Sequence, residues 1–315
     1  MKNVLIDTDP GMDDALAISL ALKSEEISVR AITAVTGNLT ADRTAANALR
    51  ILDMLDAPDI PVAQGPLVPS GGSYPSDPFS HGSDGLAESN LPDSTRPLDN
   101  RSAAQLIVDT VKEHAGNITV CALGPLTNIA EALRLDPELP TKITELIIVG
   151  GSFGETPYAW TQATGDNPVS EWNIFVDPES ARAIFHAGFN LLAVGLDVAT
   201  HPGINFEPEH LQILRASEKP EAALAVRVVD FVNRRGYQSY CSLIDSVAVA
   251  AAVDASLVKT AQVHCDISIN DQLTRGMTVV DRRHHHRWTE LPLITITTGL
   301  DFGRFLDLVT QKLVA

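Results

Sequence analysis

Asp7-Thr8-Asp9-Pro10-Gly11-Met12-Asp13-Asp14 places four carboxylates within eight residues. Pro10-Gly11 supplies a tight turn, so the backbone can double back and aim several side chains at one point. A helix N-terminus favours some negative charge, but a cap uses one aspartate, not four. Carboxylates this close repel and raise one another's pKa values unless a cation lies among them. Oxygen-only ligands of this kind suit a hard ion, Ca²⁺ or Mg²⁺, rather than zinc. The run lacks the ligand spacing and terminal Glu of an EF-hand, which sets a calcium sensor aside. Two other metal readings fail on spacing. His284-His285-His286 are consecutive and cannot all converge on one ion, so that tract reads as a solvated loop. Cys121, Cys241 and Cys265 are odd in number and far apart, which indicates neither a disulfide framework nor a thiolate site.

The elements that must position these acids alternate along the chain. Val4-Leu5-Ile6 precedes a helical pattern over Met12–Leu22, and the β-branched run Ile27–Val35 precedes another over Thr40–Leu55. Ala103–His114 reads as a helix, Ile118–Leu123 as a buried strand, and Pro125–Leu135 as a helix with proline at its first position. Leu146–Val149 and Asn190–Leu196 are further buried runs. Glu221–Gly236 and Ser246–Val253 read as helices, and Val263–Ile269 and Leu293–Ile296 as strands. This alternation predicts an α/β fold with an open, mostly parallel sheet and helices on both faces. In such sheets ligands bind beyond the carboxyl ends of the strands. Asn38, Gly124, Gly150-Gly151 and Asp197 all follow predicted strands and should share one crevice with the aspartates. Glu171 and Asn173 would point the same way if extended. Asp245, just before a predicted helix, is by itself an N-cap.

The 57–100 segment breaks the rhythm, holding eight of the 19 prolines and five glycines, among them Pro78. A connection this long is a functional lid, a partly disordered segment or a plain surface excursion. The chain has 315 residues, 44% hydrophobic, with 23 Lys+Arg against 40 Asp+Glu and a net charge of −17. That composition supports a sizeable core and excludes a disordered chain. The acid surplus argues against a broad nucleic-acid or anionic-membrane surface, since both need clustered Lys/Arg. With no run of membrane-spanning length and no signal-like N-terminus, the expectation is a soluble cytoplasmic protein.

The first motif, read through Ala15, resembles the signature of the inosine–uridine nucleoside hydrolases. The resemblance continues in order through Thr36-Gly37-Asn38, His81-Gly82 with Asp84-Gly85-Leu86, Gly124-Pro125-Leu126-Thr127-Asn128, Gly150-Gly151, Glu171-Trp172-Asn173 with Asp177-Pro178-Glu179, Gly195-Leu196-Asp197 and Asp245. It implies one nucleoside hydrolase domain over 1–315 with a Rossmann-like core, the 57–100 segment being an insertion. It also implies hydrolysis of the N-glycosidic bond of a small ribonucleoside, no nucleic-acid or membrane partner, and a homodimer or homotetramer. Carried over residue by residue, it implies Ca²⁺ held by Asp9, Asp14, the carbonyl of Leu123 and Asp245. Asp9 would take the proton of the attacking water, Asp13 would bind the ribose 2′-hydroxyl, and Asn38, Glu171 and Asn173 the other sugar hydroxyls. Asp7 would orient the cluster from behind. An oxocarbenium-like transition state explains why a cleaving site would surround the sugar with such groups.

The chain departs from the family pattern twice. The position before Asp245, where the family's best-known members carry a proton-donating histidine, is Ile244. Leaving-group help would have to come from His81, His201, Tyr237, Tyr240 or Trp160. The run before Glu171 is one residue short, so Asn167 or Asp166 would serve as ligand of the ribose 5′-hydroxyl. Ile244 also admits a member of the fold that binds N-ribosides without cleaving them. A second alternative reads Asp7-x-Asp9 as the start of an Asp-dependent phosphatase with Asp7 as nucleophile. The Gly150-Gly151-Ser152 run fits that class badly.

Overall fold

Strand β1 (Lys2–Thr8) is buried at every position after its first, because helices cover both faces of the sheet it joins. The computed structural model describes residues 1–75, 80–285 and 287–315, so Pro78 and His286 lie outside the described residues. After β1 come α1 (Met12–Leu22), β2 (Ile27–Ala34), α2 (Ala41–Met54) and β3 (Val62–Gln64). The chain then runs through α3 (Ala103–Glu113), β4 (Ile118–Ala122), α4 (Thr127–Leu135), α5 (Leu139–Lys142) and β5 (Glu145–Val149). Next are α6 (Tyr158–Thr161), α7 (Trp172–Val176), α8 (Pro178–His186), β6 (Leu191–Val194) and α9 (Leu196–Ala199). The last third holds α10 (Pro208–Ala216), α11 (Pro220–Arg234), α12 (Ser246–Val253), β7 (Val258–Ile267), β8 (Thr278–Val280), β9 (Leu293–Leu300) and α13 (Phe302–Val314).

Among the described residues nine strands form one open sheet in the order β3-β2-β1-β4-β5-β6-β9-β7-β8. All pairs from β3 to β9 are parallel, and β7 and β8 join antiparallel at the end. Side chains alternate across the sheet, as the pleat requires. Val4, Ile6, Ile147 and Val149 pack on the side of α1, α11, α12 and α13, while Leu5, Val120, Leu146 and Ile148 pack on the side of α3, α4 and α8. The mostly parallel sheet with helices on both faces is therefore as the sequence predicts.

Strand order reverses between β1 and β4: the chain leaves β1 toward β2 and β3, then returns to β4 on the other side. Crevices open at the carboxyl ends of strands at such switch points. Asp9 follows β1 and Leu123 follows β4, so both stand at this one.

Several elements differ from the sequence reading. The run Asn190–Leu196 is strand only to Val194, and Leu196 already opens α9. The Pro/Gly-rich segment contains the short strand β3, and α8, α10 and α13 are helices that no expectation covered. Glu171 is extended but Asn173 is not, so the two do not lie on one strand. Glu171 is the N-cap of α7 and Asn173 its second residue, because the Glu171 carboxylate accepts the Asn173 and Ile174 amides and closes the chain into a turn. Among the described residues no helix is long and apolar enough to cross a membrane.

Candidate active site

The turn after β1 folds back on itself through Asp14. Its carboxylate accepts the amide of Gly11 at 3.0 Å, the side-chain amide of Asn38 at 3.1 Å and the hydroxyl of Thr8. Asp9 lies beside it, with Oδ2 accepting the backbone amide of Asn38 at 2.6 Å. Gly37 and Gly124 make room for Asp9, since a Cβ on either would collide with its carboxylate oxygens. Asp245 sits at the start of α12 with no side-chain capping bond; its carboxylate turns to Asp14 instead. One oxygen each from Asp13, Asp14 and Asp245 lie within 4.8 Å of one another, and all three residues are buried.

Behind this cluster Asp7 is wholly buried. Oδ1 accepts the Thr33 hydroxyl at 2.6 Å and the Asn128 amide at 2.8 Å, while Oδ2 has no donor among the described residues. The same Asn128 amide reaches the carbonyl of Ala34, which gives the Gly124–Asn128 motif a physical role: it ties α4 to the ends of β1 and β2. Asp7 does not line the cavity in front of the cluster. A nucleophile must meet its substrate, so the phosphatase reading is overturned.

That cavity holds about 330 Å³ and is bordered at its floor by Asp9, Asp13, Asn38, Leu123, Glu171, Asn173 and Asp245. The Asn173 amide donates to the carbonyls of Leu123 at 2.7 Å and Val149 at 3.0 Å, joining α7 to the ends of β4 and β5. The Leu123 carbonyl keeps one lone pair for another partner. The Asn167 amide is spent on local structure: it donates to the Arg275 carbonyl and accepts from Val169 and Ser170, and it does not line the cavity. Asp197, expected in the crevice, instead holds the backbone amides of Phe153 and Thr156 and organises the loop after β5.

The electrostatics are one-sided. Burial pushes the carboxyls of Asp9, Asp13 and Asp245 well above the usual range, and each is driven further by its aspartate neighbours. Burial also lifts Asp7 and Glu171 to about 7, against the hydrogen bonds that favour their charged forms. Among the described residues no lysine or arginine forms an ion pair with Asp7, Asp9, Asp13, Asp14 or Asp245, and the Asp13 Oδ1 has no hydrogen-bond donor. His81 Nδ1 stands 3.6 Å from that oxygen. Clustered buried carboxylates are tolerated when protonated or gathered round a cation. An all-oxygen set with an orphaned carboxylate oxygen fits a hard divalent ion.

The remaining wall combines residues the sequence singled out with others it did not mark. His81 is delivered by the loop after 80, where Asp84 gathers the amides of Leu86, Glu88 and Asn90, and Ala87 bonds the His81 carbonyl. Gln162, Arg235, Tyr237, Tyr240, Cys241 and Ile244 complete the wall. Of the suggested leaving-group donors, His81, Tyr237 and Tyr240 therefore reach the cavity. His201 is stacked 4.4 Å from the Phe302 ring, and Trp160 packs against Gly154 outside it. Gln162 and Arg235 went unseen because they sit on a loop and at a helix end with no periodic or spaced partner.

A family model described as inosine-uridine preferring nucleoside hydrolase matches residues 4–307. The chain is 34% identical to an inosine-uridine preferring nucleoside hydrolase of Leishmania major, over 99% of this chain and 97% of the relative. It is equally 34% identical to the pyrimidine-specific ribonucleoside hydrolase RihA of Escherichia coli, over 98% and 97%. Among solved structures it resembles a plant nucleoside hydrolase, with a TM-score of 0.89 at 32% identity over 100% and 99% of the two chains. It also resembles a purine-preferring ribonucleoside hydrolase of Gardnerella vaginalis, with a TM-score of 0.85 at 29% identity over 99% and 98%. Relatives at similar distance thus carry names with different base preferences, so preference has to be argued from the cavity wall. The fold, the order of the motifs and these matches agree: the chain belongs to the inosine-uridine preferring nucleoside hydrolase family, enzymes that hydrolyse N-glycosidic bonds.

Proposed function

We propose that the protein is a Ca²⁺-dependent hydrolase of ribonucleosides, releasing ribose and free base. The observation that carries this is the cavity floor, where buried aspartates without a cationic side chain meet Asn38, Glu171 and Asn173. Asp9, Asp14, Asp245 and the Leu123 carbonyl would hold the ion, which supplies acidity toward water and a grip on the ribose diol. Asp9 has Oδ1 free of the Asn38 amide and accepts the proton of the attacking water. The water oxygen bonds to C1′ as the bond from C1′ to the base nitrogen breaks, and that electron pair leaves with the base. Asp13 accepts a hydrogen bond from the 2′-hydroxyl through Oδ1, which has no donor among the described residues. Glu171 and the amide oxygens of Asn38 and Asn173 face the ring as positive charge grows on it. A cytoplasmic homodimer or homotetramer belongs to the same reading, and light scattering on the purified protein checks the assembly.

A second reading, binding without cleavage, draws on Ile244 in the cavity wall. A turnover assay over a panel of ribonucleosides separates the two: cleavage releases base continuously, whereas a binder shows only ligand-induced thermal stabilisation. Asp9→Ala should lose bound calcium and lower kcat by about 10²–10⁴-fold, the usual weight of a general base. Near wild-type activity in that variant overturns the assignment of the base. Replacing substrates by their 2′-deoxy forms should lower kcat/KM by roughly 10²-fold or more, because buried partners of the missing hydroxyl go unpaired.

A further inference from the structure

Above its acidic floor, Ile244, Cys241 and Tyr240 give the departing base no good acid. Ile244 has no proton to give. Burial raises the Cys241 thiol to about 11 and pushes the Tyr240 phenol above its ordinary value. His81 Nδ1 accepts the Met12 amide at 3.2 Å, so its neutral ring carries hydrogen only on Nε2. Such a site can still stabilise a leaving base with fixed N–H donors aimed where negative charge develops.

One side chain is held in that manner. The Tyr240 hydroxyl donates to Gln162 Oε1 at 2.7 Å, and both residues line the cavity. Each end of the pair is anchored separately. The backbone amide of Gln162 closes α6 on the Tyr158 carbonyl at 3.1 Å, and Asn205 Oδ1 accepts the backbone amide of Tyr240 at 2.8 Å. With Oε1 accepting from the Tyr240 hydroxyl, the Nε2 hydrogens are the polar group the side chain presents, and they make no hydrogen bond among the described residues. Without Tyr240 either end of a glutamine could turn to the base, since amide oxygen and nitrogen have the same shape.

We propose that Gln162, oriented by Tyr240, donates to the exocyclic oxygen of the departing base and makes this enzyme discriminate oxo-bases from amino-bases. This rests on the reading of the site as a ribonucleoside hydrolase. As the bond to C1′ breaks, the electron pair spreads from the ring nitrogen to a conjugated oxo group, which accepts the amide hydrogen; the base then takes its proton from water. An amino group at the same place is itself a donor and meets the amide N–H₂ hydrogen to hydrogen. Gln162 is the specificity-determining residue and Tyr240 its positioning residue.

The test compares kcat/KM for inosine against adenosine and for uridine against cytidine, pairs that differ in an oxo or an amino group and in the hydrogen on the ring nitrogen beside it. The calcium-loaded wild-type protein should favour the oxo member of each pair by about tenfold or more, as donors left facing a donor discriminate. Gln162→Glu supplies an acceptor and should reverse both ratios. Tyr240→Phe frees the amide to turn and should draw both ratios toward one. Because the readout is a ratio within one protein sample, a folding defect does not move it. Turnover of all four nucleosides with ratios unmoved in Gln162→Glu overturns the assignment of Gln162 and leaves the hydrolase reading intact. No base released from any of the four by wild-type protein overturns both.

Discussion

The protein treats its acids in two opposite ways. Outside the cavity, Asp99 meets Arg101 at 2.7 Å, Asp281 meets Arg283 at 2.8 Å and Asp136 meets Lys142 at 2.7 Å. Hydrogen bonds from these cations hold Asp99 near 2 and the other two carboxyls below their ordinary value. At the carboxyl ends of β1 and β4 the sign inverts: Asp9, Asp13 and Asp245 are buried beside one another, and each is pushed up by burial first and by its neighbours second. The chain has 23 lysines and arginines to spend and pairs none with the interior cluster among the described residues. What the contrast teaches is that the interior charge is left to be balanced by something that comes and goes, while the surface charge is balanced for good.

The sharpest way to break this contrast is to ask whether Asp14 is only a cap. Its bond to the Gly11 amide is half of a capping box, and a cap alone is worth about 1 kcal/mol. On that account Asp14→Asn would lower the melting temperature slightly and spare activity. If Asp14 instead serves the ion, calcium affinity should fall by more than the roughly 100-fold that outer partners of a metal site cost, and turnover should fall with it. Calcium titration by calorimetry, run beside the kinetics, separates the two accounts.

How much of this was legible before the structure depends on whether the signal is local. Both α1 and α12 begin and end where their apolar patterns do, and α12 is buried on all sides because Ser246–Ala252 offers nothing but small and apolar side chains. The part of the aspartate cluster within residues 7–14 was legible because its members are neighbours in sequence across one turn, whereas Asp245 entered only through the family resemblance. Strand β3 was hidden, since three residues between prolines carry no periodicity. So was α13, whose Phe305, Val309 and Leu313 follow helical spacing at the end of the chain, beyond the last motif. Glu171 and Asn173 misled the extended reading because the carboxylate caps its own helix, a local bond that period-2 reasoning ignores. Tyr240 was one of five unranked candidates and Gln162 had no sequence signal: their 2.7 Å bond spans 78 positions and exists only in the folded chain.

A milder stress on the comparison is pH. Where a native carboxyl has its pKa raised, the native state binds more protons than the unfolded one, so stability falls as pH rises through the window between them. Asp7 and Glu171 lie at about 7, and Asp9, Asp13 and Asp245 are shifted in the same direction, so the window runs from ordinary carboxyl values upward through neutrality. Each group adds a slope of at most about 1.4 kcal/mol per pH unit there. Metal-free protein should therefore melt at lower temperature at pH 8 than at pH 5, and saturating calcium should flatten the profile by favouring the charged forms. A metal-free melting temperature that holds level or climbs from pH 5 to 8 contradicts the unbalanced cluster.

The surface half of the contrast yields the smallest effect and for that reason the cleanest control. Arg101 bridges Asp99 and Asp109, with 39% of its side chain exposed. Solvent screening and the entropy of holding a long side chain offset most of what such a pair gains, leaving about 0–1 kcal/mol. Arg101→Ala should shift the melting temperature by a few degrees at most, with the difference shrinking further in high salt. Its calcium affinity and turnover should match wild type, since nothing in the cavity touches α3 or the turn before it. A large loss of activity in this variant would mean that surface and interior charges are coupled across the sheet. The division drawn between permanently matched and exchangeably matched acids would then fail at its less dramatic end.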